Sequence, residues 1–297
     1  MAISERPSHL SLPQTNPGVT TVLAYLIIKF PLIDAHIWQQ RVQNGKVHYH
    51  DGSLVTRQSL FQPQRRIYYY REVESEPVIP FKEDIIFHSQ HILVAYKPHF
   101  LPVTPGGIYV NECLQNRLRA RTGIDKLQAL HRLDRVTAGL VIFSTNPDTR
   151  RDYHGLFQSR KIHKTYQAIA SINKNDRIKG CQWEIKNRIV QGDPKFCMRV
   201  AQGDANSHSV VRCLQQSNGQ ALFELNPITG KTHQLRIHMH TLGWPILNER
   251  YYPKLQPLSK DDYSAPLQLL AKQLAFIDPI TQKPMTFSCE RNLSVCI

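Results

Sequence analysis

Several features that would point to familiar functions are missing or scarce in this sequence. Six cysteines in 297 residues (Cys113, Cys181, Cys197, Cys213, Cys289 and Cys296) form no C-x-x-C pair and no closely spaced framework. That excludes a disulfide-stapled scaffold and reads as reduced thiols in a cytoplasmic protein. No long apolar run occurs. The most hydrophobic early stretch, Val19 to Ile33, contains Lys29 and Pro31 and is too short to span a bilayer. No charged, apolar, small-residue succession opens the chain, so no signal peptide and no membrane association are expected. Neither G-x-S-x-G nor G-x-G-x-x-G is present, which argues against a serine-hydrolase elbow and a dinucleotide fold. Ile228 to Thr232 echoes a phosphate-binding loop, but Leu225 stands where that loop needs its first glycine. His233, His238 and His240 lie close together without a neighbouring carboxylate or thiol, and the last two diverge on a helix, so no metal site is expected. There is no internal repeat and no low-complexity tract.

Acid is scarce too, and this shortage is informative. Asp and Glu number 23 against 37 Lys and Arg, a formal charge of +14, with 14 histidines besides. A field of that sign draws polyanions, and for a soluble chain the commonest such partner is nucleic acid. Otherwise, 41% hydrophobic and 20% charged residues describe an ordinary globular protein with room for two domains.

Met1 to Gly18 is rich in Ser, Pro and Asn and reads as an extended lead-in. Thr20-Thr21 would cap a helix over Val22 to Phe30, ended by Pro31, and Asp34 a second ending near Asn44-Gly45. Lys46 to His50 alternates, Asp51-Gly52 signals a hairpin turn, and a strand should follow it. Glu74 to Pro80 carries two prolines and serves as a linker. The expected division is therefore a lead-in and small domain over 1–75 and a large domain over 76–297.

In the second part, Ile85 to Phe87 and Ile92 to Tyr96 form a hairpin, and Lys97 to Gly107 an irregular loop. A helix from Asn111 would put Cys113, Leu114 and Leu118 on one face and Arg117, Arg119 and Arg121 largely off it. A helix over Pro147 to Ser159, a strand from Lys164 to Ala170, and a meander over Ser171 to Gly219 come next. After a strand over Gln220 to Pro227, the Thr229 to His240 stretch turns into a helix with Leu235, Met239 and Leu242 facing the core. An apolar strand, Leu267 to Pro279, leads to a last hairpin. Strands dominate and helices intervene irregularly, which predicts an α+β fold with a largely antiparallel mixed sheet.

The stretch from Leu130 to Phe143, LHRLDRVTAGLVIF, organises the rest. It sets one carboxylate, Asp134, between Arg132 and Arg135, then makes a turn and re-enters an apolar strand. A carboxylate so placed is a structural ion pair or turn cap, or a nucleophile or base kept ionised by its cations.

His131-Arg132-Leu133-Asp134 followed by Thr137, Gly139 and Leu140 resembles the signature loop of RNA pseudouridine synthases of the RluA type. Three further segments match in order. Lys97-Pro98 with Val103-Thr104-Pro105 resembles the family's Lys-Pro loop. Phe157, Lys161 and Lys164-Thr165-Tyr166 resemble the segment with its active-site Tyr. Thr229 to His238 with Leu242-Gly243 and Pro245 resembles its third motif, and Leu269 to Pro279 its closing strand. The chain departs from the pattern at Ala138 (usually Ser), at Asn248-Glu249 (usually Gly-Asp), and at Leu270 and Asp278 (commonly His). None of these departures is expected to touch the catalytic residues. The first 75 residues, two short helices and a hairpin at Gly45, resemble the small RNA-binding domain named after a ribosomal small-subunit protein, although this helix pair offers few basic residues.

The resemblance implies isomerisation of uridine to pseudouridine: the N1–C1′ bond breaks, uracil rotates and a C5–C1′ bond forms. No redox change or group donor is involved, so no cofactor is expected. Asp134, with an ordinary pKa of about 3.9, would be ionised at neutral pH and attack as nucleophile, at C1′ or at the uracil ring. Arg236 would pair with Asp134, and Tyr166 would pack on the uracil and act late as a general base. Arg132 would fill the space left by the extruded base or hold its phosphate. His131, Thr137, Lys97, Lys164, Lys231 and Leu235 complete the expected substrate contacts, with Arg117, Arg119 and Arg121 as further phosphate ligands. Loop uridines of ribosomal or transfer RNA are the expected targets, bound by a cytoplasmic monomer with no DNA partner.

Two rivals follow from the same residues. A non-catalytic RNA-binding protein on the same scaffold would not need Asp134, Tyr166 and Arg236 together. A hydrolase acting through Asp134 would call for a second paired carboxylate or metal ligands, which the sequence does not pair with it.

Overall fold

The computed structural model describes residues 1–257 and 259–293. Five cysteines are free thiols, and Cys296 lies outside the described residues. No helix among those residues is long and apolar enough to cross a membrane. The chain forms two compact units. One is Met1–Pro77 with Pro105–Asn111; the other holds Val78–Thr104 and the chain from Glu112 onward.

The first unit contains β1 (Ala2–Ile3), β2 (Ser8–Ser11), α1 (Val22–Lys29), α2 (Ala35–Gln43), β3 (Val47–Tyr49), β4 (Arg66–Tyr69) and β5 (Glu72–Val73). Both helices start where their caps predict: Thr21 Oγ1 accepts from the Ala24 N–H at 3.2 Å and Asp34 Oδ1 from the His36 N–H at 2.7 Å. Val22, Leu26, Trp38, Val42, Val47 and Ile67 build its core. The lead-in is extended as expected, but it is not unpaired. β1 pairs with β5, and β2 pairs with β4, whose other edge takes β3. A four-residue Ser-His-Leu-Ser strand is too short and too polar for its period to show in the sequence. The strand expected after Asp51-Gly52 does not form. A single bridge joins His48 to Leu54, and β3 instead finds its partner in β4.

The second unit is built on one large sheet. Its elements are β6 (Asp84–His88), β7 (Ile92–Lys97), α3 (Leu114–Thr122), β8 (Gln128–Ala129), β9 (Ala138–Ser144), α4 (Arg150–Gln158), β10 (His163–Ser171), β11 (Gln182–Gln191), β12 (Met198–Ala201), β13 (Ser207–Ser217), β14 (Gln220–Pro227), α5 (Gln234–Thr241), β15 (Leu269–Ile277) and β16 (Pro284–Ser288). The strand order is β12-β11-β13-β14-β10-β15-β9-β7-β6, with β16 beside β15 and β8 beside β9. All pairings are antiparallel except β9 with β15, which meet in parallel at Leu270↔Ala138 and Ala271↔Gly139. Ile92, Leu140, Ile142, Tyr153, Leu274 and Phe276 belong to one buried cluster, and Val211, Phe223, Leu225, Met239 and Leu269 to another.

The parallel seam depends on a glycine. Gly139 sits at φ +121°, and a Cβ there would lie 2.3 Å from the carbonyl oxygen and 2.5 Å from the nitrogen of Ala271. Only a residue without a side chain permits that approach. The seam anchors the turn that carries Asp134.

Helix α3 corrects one expectation. Arg117 donates to the carbonyls of Ile79 and Phe81 and pairs with Glu112 and Glu83, while Arg119 donates to the Leu127 carbonyl. These two arginines hold their own unit together instead of lining an RNA path.

Candidate active site

Three segments, distant in sequence, enclose a cleft of about 880 Å³: the turn before β9, the start of β10, and the first turn of α5 with the loop that enters it. Asp134 sits on the first, Tyr166 on the second and Arg236 on the third, all facing the same space. Of the expected contacts, His131, Arg132, Thr137, Lys164, Lys231 and Leu235 also line it. Lys97 does not.

The Asp134 carboxylate is 27% exposed, and its Oδ2 lies 3.4 Å from Arg236 Nη1 and 3.9 Å from His233 Nε2. Its charge partner is thus a helix residue far along the chain, not either arginine beside it. Arg135 turns aside into a two-point ion pair with Asp261 at 2.6 and 2.8 Å, and Arg132 is exposed at the cleft.

Arg236 is only 3% exposed, and its fork is directed elsewhere. Nε and Nη2 donate to the two oxygens of Glu249 at 2.7 and 2.5 Å, leaving Nη1 for Asp134. Burial would lower the guanidinium's pKa, but Glu249, with help from Asp134, raises it instead. The rings of Tyr251 and Tyr252 lie 4.7 and 5.6 Å from its centre. This corrects the expectation that the Asn248-Glu249 departure does not touch Asp134, Tyr166 or Arg236: Glu249 is the residue that holds Arg236.

His233 was set aside with the histidines excluded as metal ligands, and among the described residues no such group forms. Its place is nevertheless central. It caps α5 with a left-handed backbone, φ +55°, and its Nδ1 lies 2.7 Å from the Tyr252 hydroxyl, which also accepts from the Met198 N–H at 2.9 Å. Burial lowers its pKa, against the opposing pull of Asp134. Gln234 fixes the loop before it. Its side-chain oxygen accepts from Thr229 Oγ1 and the Lys231 N–H, and its amide donates to the His208 carbonyl.

Tyr166 is partly buried, and burial followed by the charge of Asp134 pushes its phenol well above the usual range. His131 accepts the Ile142 N–H at Nε2, stacks on Phe157 with ring centres 4.8 Å apart, and is driven by burial to a pKa of about 3. It is a neutral ring with its proton on Nδ1. Thr137 donates its backbone N–H to the Asp134 carbonyl, while its buried hydroxyl has no partner among the described residues. Lys164 reaches the Thr229 carbonyl at 3.3 Å, its pKa lowered by burial and then by Arg160.

Lys97 was expected among the substrate contacts. It is fully buried, and its ammonium donates to the carbonyls of Pro98, Leu101 and Arg135 at 2.9, 2.7 and 2.9 Å. Burial drives its pKa down and Asp134 opposes this. Three acceptors match the three N–H bonds of the charged form, so this side chain ties the Lys-Pro loop to the turn of Asp134.

The RNA pseudouridylate synthase family model matches residues 91–241, which span all three walls of the cleft. The chain is 33% identical to the dual-specificity RNA pseudouridine synthase RluA of Pasteurella multocida, over 69% of this chain and 91% of that protein. This protein belongs to the RluA family of RNA pseudouridine synthases. It therefore isomerises uridine to pseudouridine in RNA. Among solved structures, human RNA pseudouridylate synthase domain containing 4 is 25% identical with a TM-score of 0.53, over 69% of this chain and 87% of that one. Human RNA pseudouridylate synthase domain containing 1 shares the fold at a TM-score of 0.58 and 20% identity, over 73% and 86% of the two chains. The large, mostly antiparallel sheet is thus the pseudouridine synthase fold.

Glu249, Tyr252 and His233 stand in the sequence only as a departure from the family pattern, a kept position and a motif member, and no site role for them follows from it. A signal existed for the first: an arginine on the buried stretch of a helix needs a carboxylate of its own, and Asp134 cannot both satisfy it and stay open to substrate.

Proposed function

We propose that Asp134 is the nucleophile of this synthase. One observation carries the reading: among the described residues that line the cleft, Asp134 is the only carboxylate, and it is open to the cleft while Glu249 holds Arg236 from behind. A hydrolase working through paired acids would need a second carboxylate in the same space. Arg236, kept charged and rigid by Glu249, orients Asp134 through one N–H and stabilises the negative form that attacks.

Tyr166 packs on the target uracil. With its phenol held protonated in the resting site, it does not begin as a base. When Asp134 becomes covalently bonded its negative charge is lost, and with it one of the two influences that raise the phenol. The phenol then ionises more readily, and once its own proton has passed to solvent the phenolate accepts the C5 hydrogen as a proton at the late step.

The unpartnered Thr137 hydroxyl supplies a hydrogen bond to the bound nucleotide, and Leu235 an apolar floor for its ring. Lys164, Lys231 and exposed Arg132 meet the flanking phosphates. His233, steadied by Tyr252, and the neutral His131 position their neighbours without taking part in bond making. Lys97 acts in the same way from behind the turn.

The substrates are loop uridines of structured ribosomal or transfer RNA, where extrusion of a base costs least. The dual-specificity name of the Pasteurella relative supports a range of more than one RNA. An N-terminal domain of about residues 1–75 serves as an RNA anchor and a catalytic domain begins at about 76, in a cytoplasmic monomer.

The deciding experiment measures tritium release from RNA labelled at uracil C5, comparing wild type with Asp134→Asn. We expect release to vanish in the variant while RNA affinity and thermal melting stay near wild type. Full release by Asp134→Asn would remove Asp134 from the chemistry.

A further inference from the structure

The first unit presents its helices and its sheet to very different ends. On the helical side, little is left for RNA. Arg41 is buried at 5% exposure and pairs with Glu72 at 3.1 Å, and Lys46 pairs with the same carboxylate. Its sheet is another matter. In β2-β4-β3, Val47, Tyr49 and Ile67 point into the core, so alternation turns His9, His48, Arg66 and Tyr68 outward.

Register places three of these rings in one row across three strands: His9 opposite Tyr68, and Tyr68 opposite His48. The His48 and Tyr68 rings are near parallel, 8° apart with centres at 5.3 Å. His9 lies 5.7 Å from Tyr68 and His50 5.8 Å, and Tyr70 extends the row 6.1 Å from His48. Hydrogen bonds fix the set: His48 Nδ1 donates to the Tyr49 carbonyl at 2.8 Å, and His50 Nδ1 lies 2.9 Å from the Tyr68 hydroxyl. Exposed Arg66 follows along β4, without a hydrogen-bond or ion-pair partner among the described residues. None of these side chains is acidic.

From this we infer that the outer face of β2-β4-β3 is a binding platform for single-stranded RNA, with bases stacking on the Tyr68–His48–His9 row and Arg66 meeting a phosphate. A core needs no rings on its solvent face, and a metal site is not formed by these histidines. Rings side by side on an open sheet with a free cation match what unpaired bases and their backbone offer, and duplex RNA, whose bases are already stacked, does not fit. The inference rests on the reading of the first unit as an RNA anchor and states which surface does the anchoring and what form of RNA it takes.

The test uses the full chain and a fluorescent, unstructured RNA of about ten nucleotides, with binding followed by anisotropy. Loss of one stacking ring in Tyr68→Ala weakens binding about ten-fold, whereas Tyr68→Phe stays within about two-fold of wild type. At saturating RNA, tritium release by Tyr68→Ala keeps the wild-type maximal rate, so that KM rises and kcat does not. A Tyr68→Ala protein that melts like wild type and binds with unchanged affinity would overturn the platform. Should that variant fail to fold, His9→Ala and His50→Ala, both at exposed positions, decide by the same criterion. Crosslinking with 4-thiouridine RNA separates the two readings. Crosslinks on His9, His48 or Tyr68 support the platform. Crosslinks confined to α1 and α2 overturn it and keep the anchor, and none in the first unit overturns both.

Discussion

Glu249→Gln probes the point at which stability and chemistry meet in the cleft. Glu249 is 2% exposed and Arg236 3%, joined by two contacts of 2.7 and 2.5 Å. Breaking a buried pair by removing one partner costs about 3–5 kcal/mol, because the charge left behind stays out of water. Glutamine keeps the shape and one acceptor oxygen, and Asp134, only 3.4 Å away, takes up part of the orphaned charge. The net loss should therefore be about 2–3 kcal/mol, large against a total stability of about 5–15 kcal/mol. Urea unfolding reads it as a lower midpoint at unchanged slope. The catalytic effect runs through the same rearrangement. Freed from its fork, Arg236 turns its second nitrogen to Asp134, and a carboxylate held at two points is a poorer nucleophile. Each loss of about 1.4 kcal/mol in the transition state is ten-fold in rate, and we expect kcat for tritium release to fall at least about ten-fold with KM little changed. Glu249→Asp, which keeps the charge but shortens the reach, should fall between. A Glu249→Gln enzyme with wild-type kcat and midpoint would refute the view that Glu249 holds Arg236 in working position.

Three other outcomes follow from the geometry. Gly139→Ala pushes a methyl group into the Ala271 backbone at φ +121°, so the β9–β15 seam must part; we expect little folded protein, judged by soluble yield and circular dichroism. Lys97→Met leaves three buried carbonyls without a donor and should cost about 3 kcal/mol in urea unfolding, with faster proteolysis of the Lys-Pro loop; an unchanged midpoint would mean those carbonyls find other donors. Burial lowers His99 and His238 to about 4 and His131 to about 3, so each is neutral when folded and binds a proton more readily when unfolded. Their stabilisation is complete above about pH 6.5 and is lost as pH falls toward 4. The slope reaches about 4 kcal/mol per pH unit for the three together, and a melting temperature flat between pH 7 and 4.5 would contradict it.

Much of the catalytic unit could be read in advance because its information is local. Gln220 to Pro227 is β14 and Pro147 to Ser159 holds α4, and in the first unit Thr21 and Asp34 announce their helices. The expectations that failed concern partners chosen in three dimensions. The turn alone leaves Asp134 between Arg132 and Arg135, and only the resemblance names Arg236, which does lie 3.4 Å away, as its partner; the approach of His233 beside it has no local signal. Lys97 looks like a phosphate ligand because lysines usually are, and nothing nearby in sequence says that three carbonyls will close around it. The lead-in looked idle because a short strand such as β2 gains its meaning only from β4, which lies far along the chain.

The position of β15 sets the order in which this enzyme can come into being. This strand, Leu269–Ile277, lies between β10 and β9, so it joins the wall carrying Tyr166 to the turn carrying Asp134. In chain order it follows both of those elements. Until it is made, a nascent chain holds two half-sheets with open edges and no common wall, and the groups that line the cleft have no fixed spacing. A copy not yet translated through β15 therefore has no formed cleft.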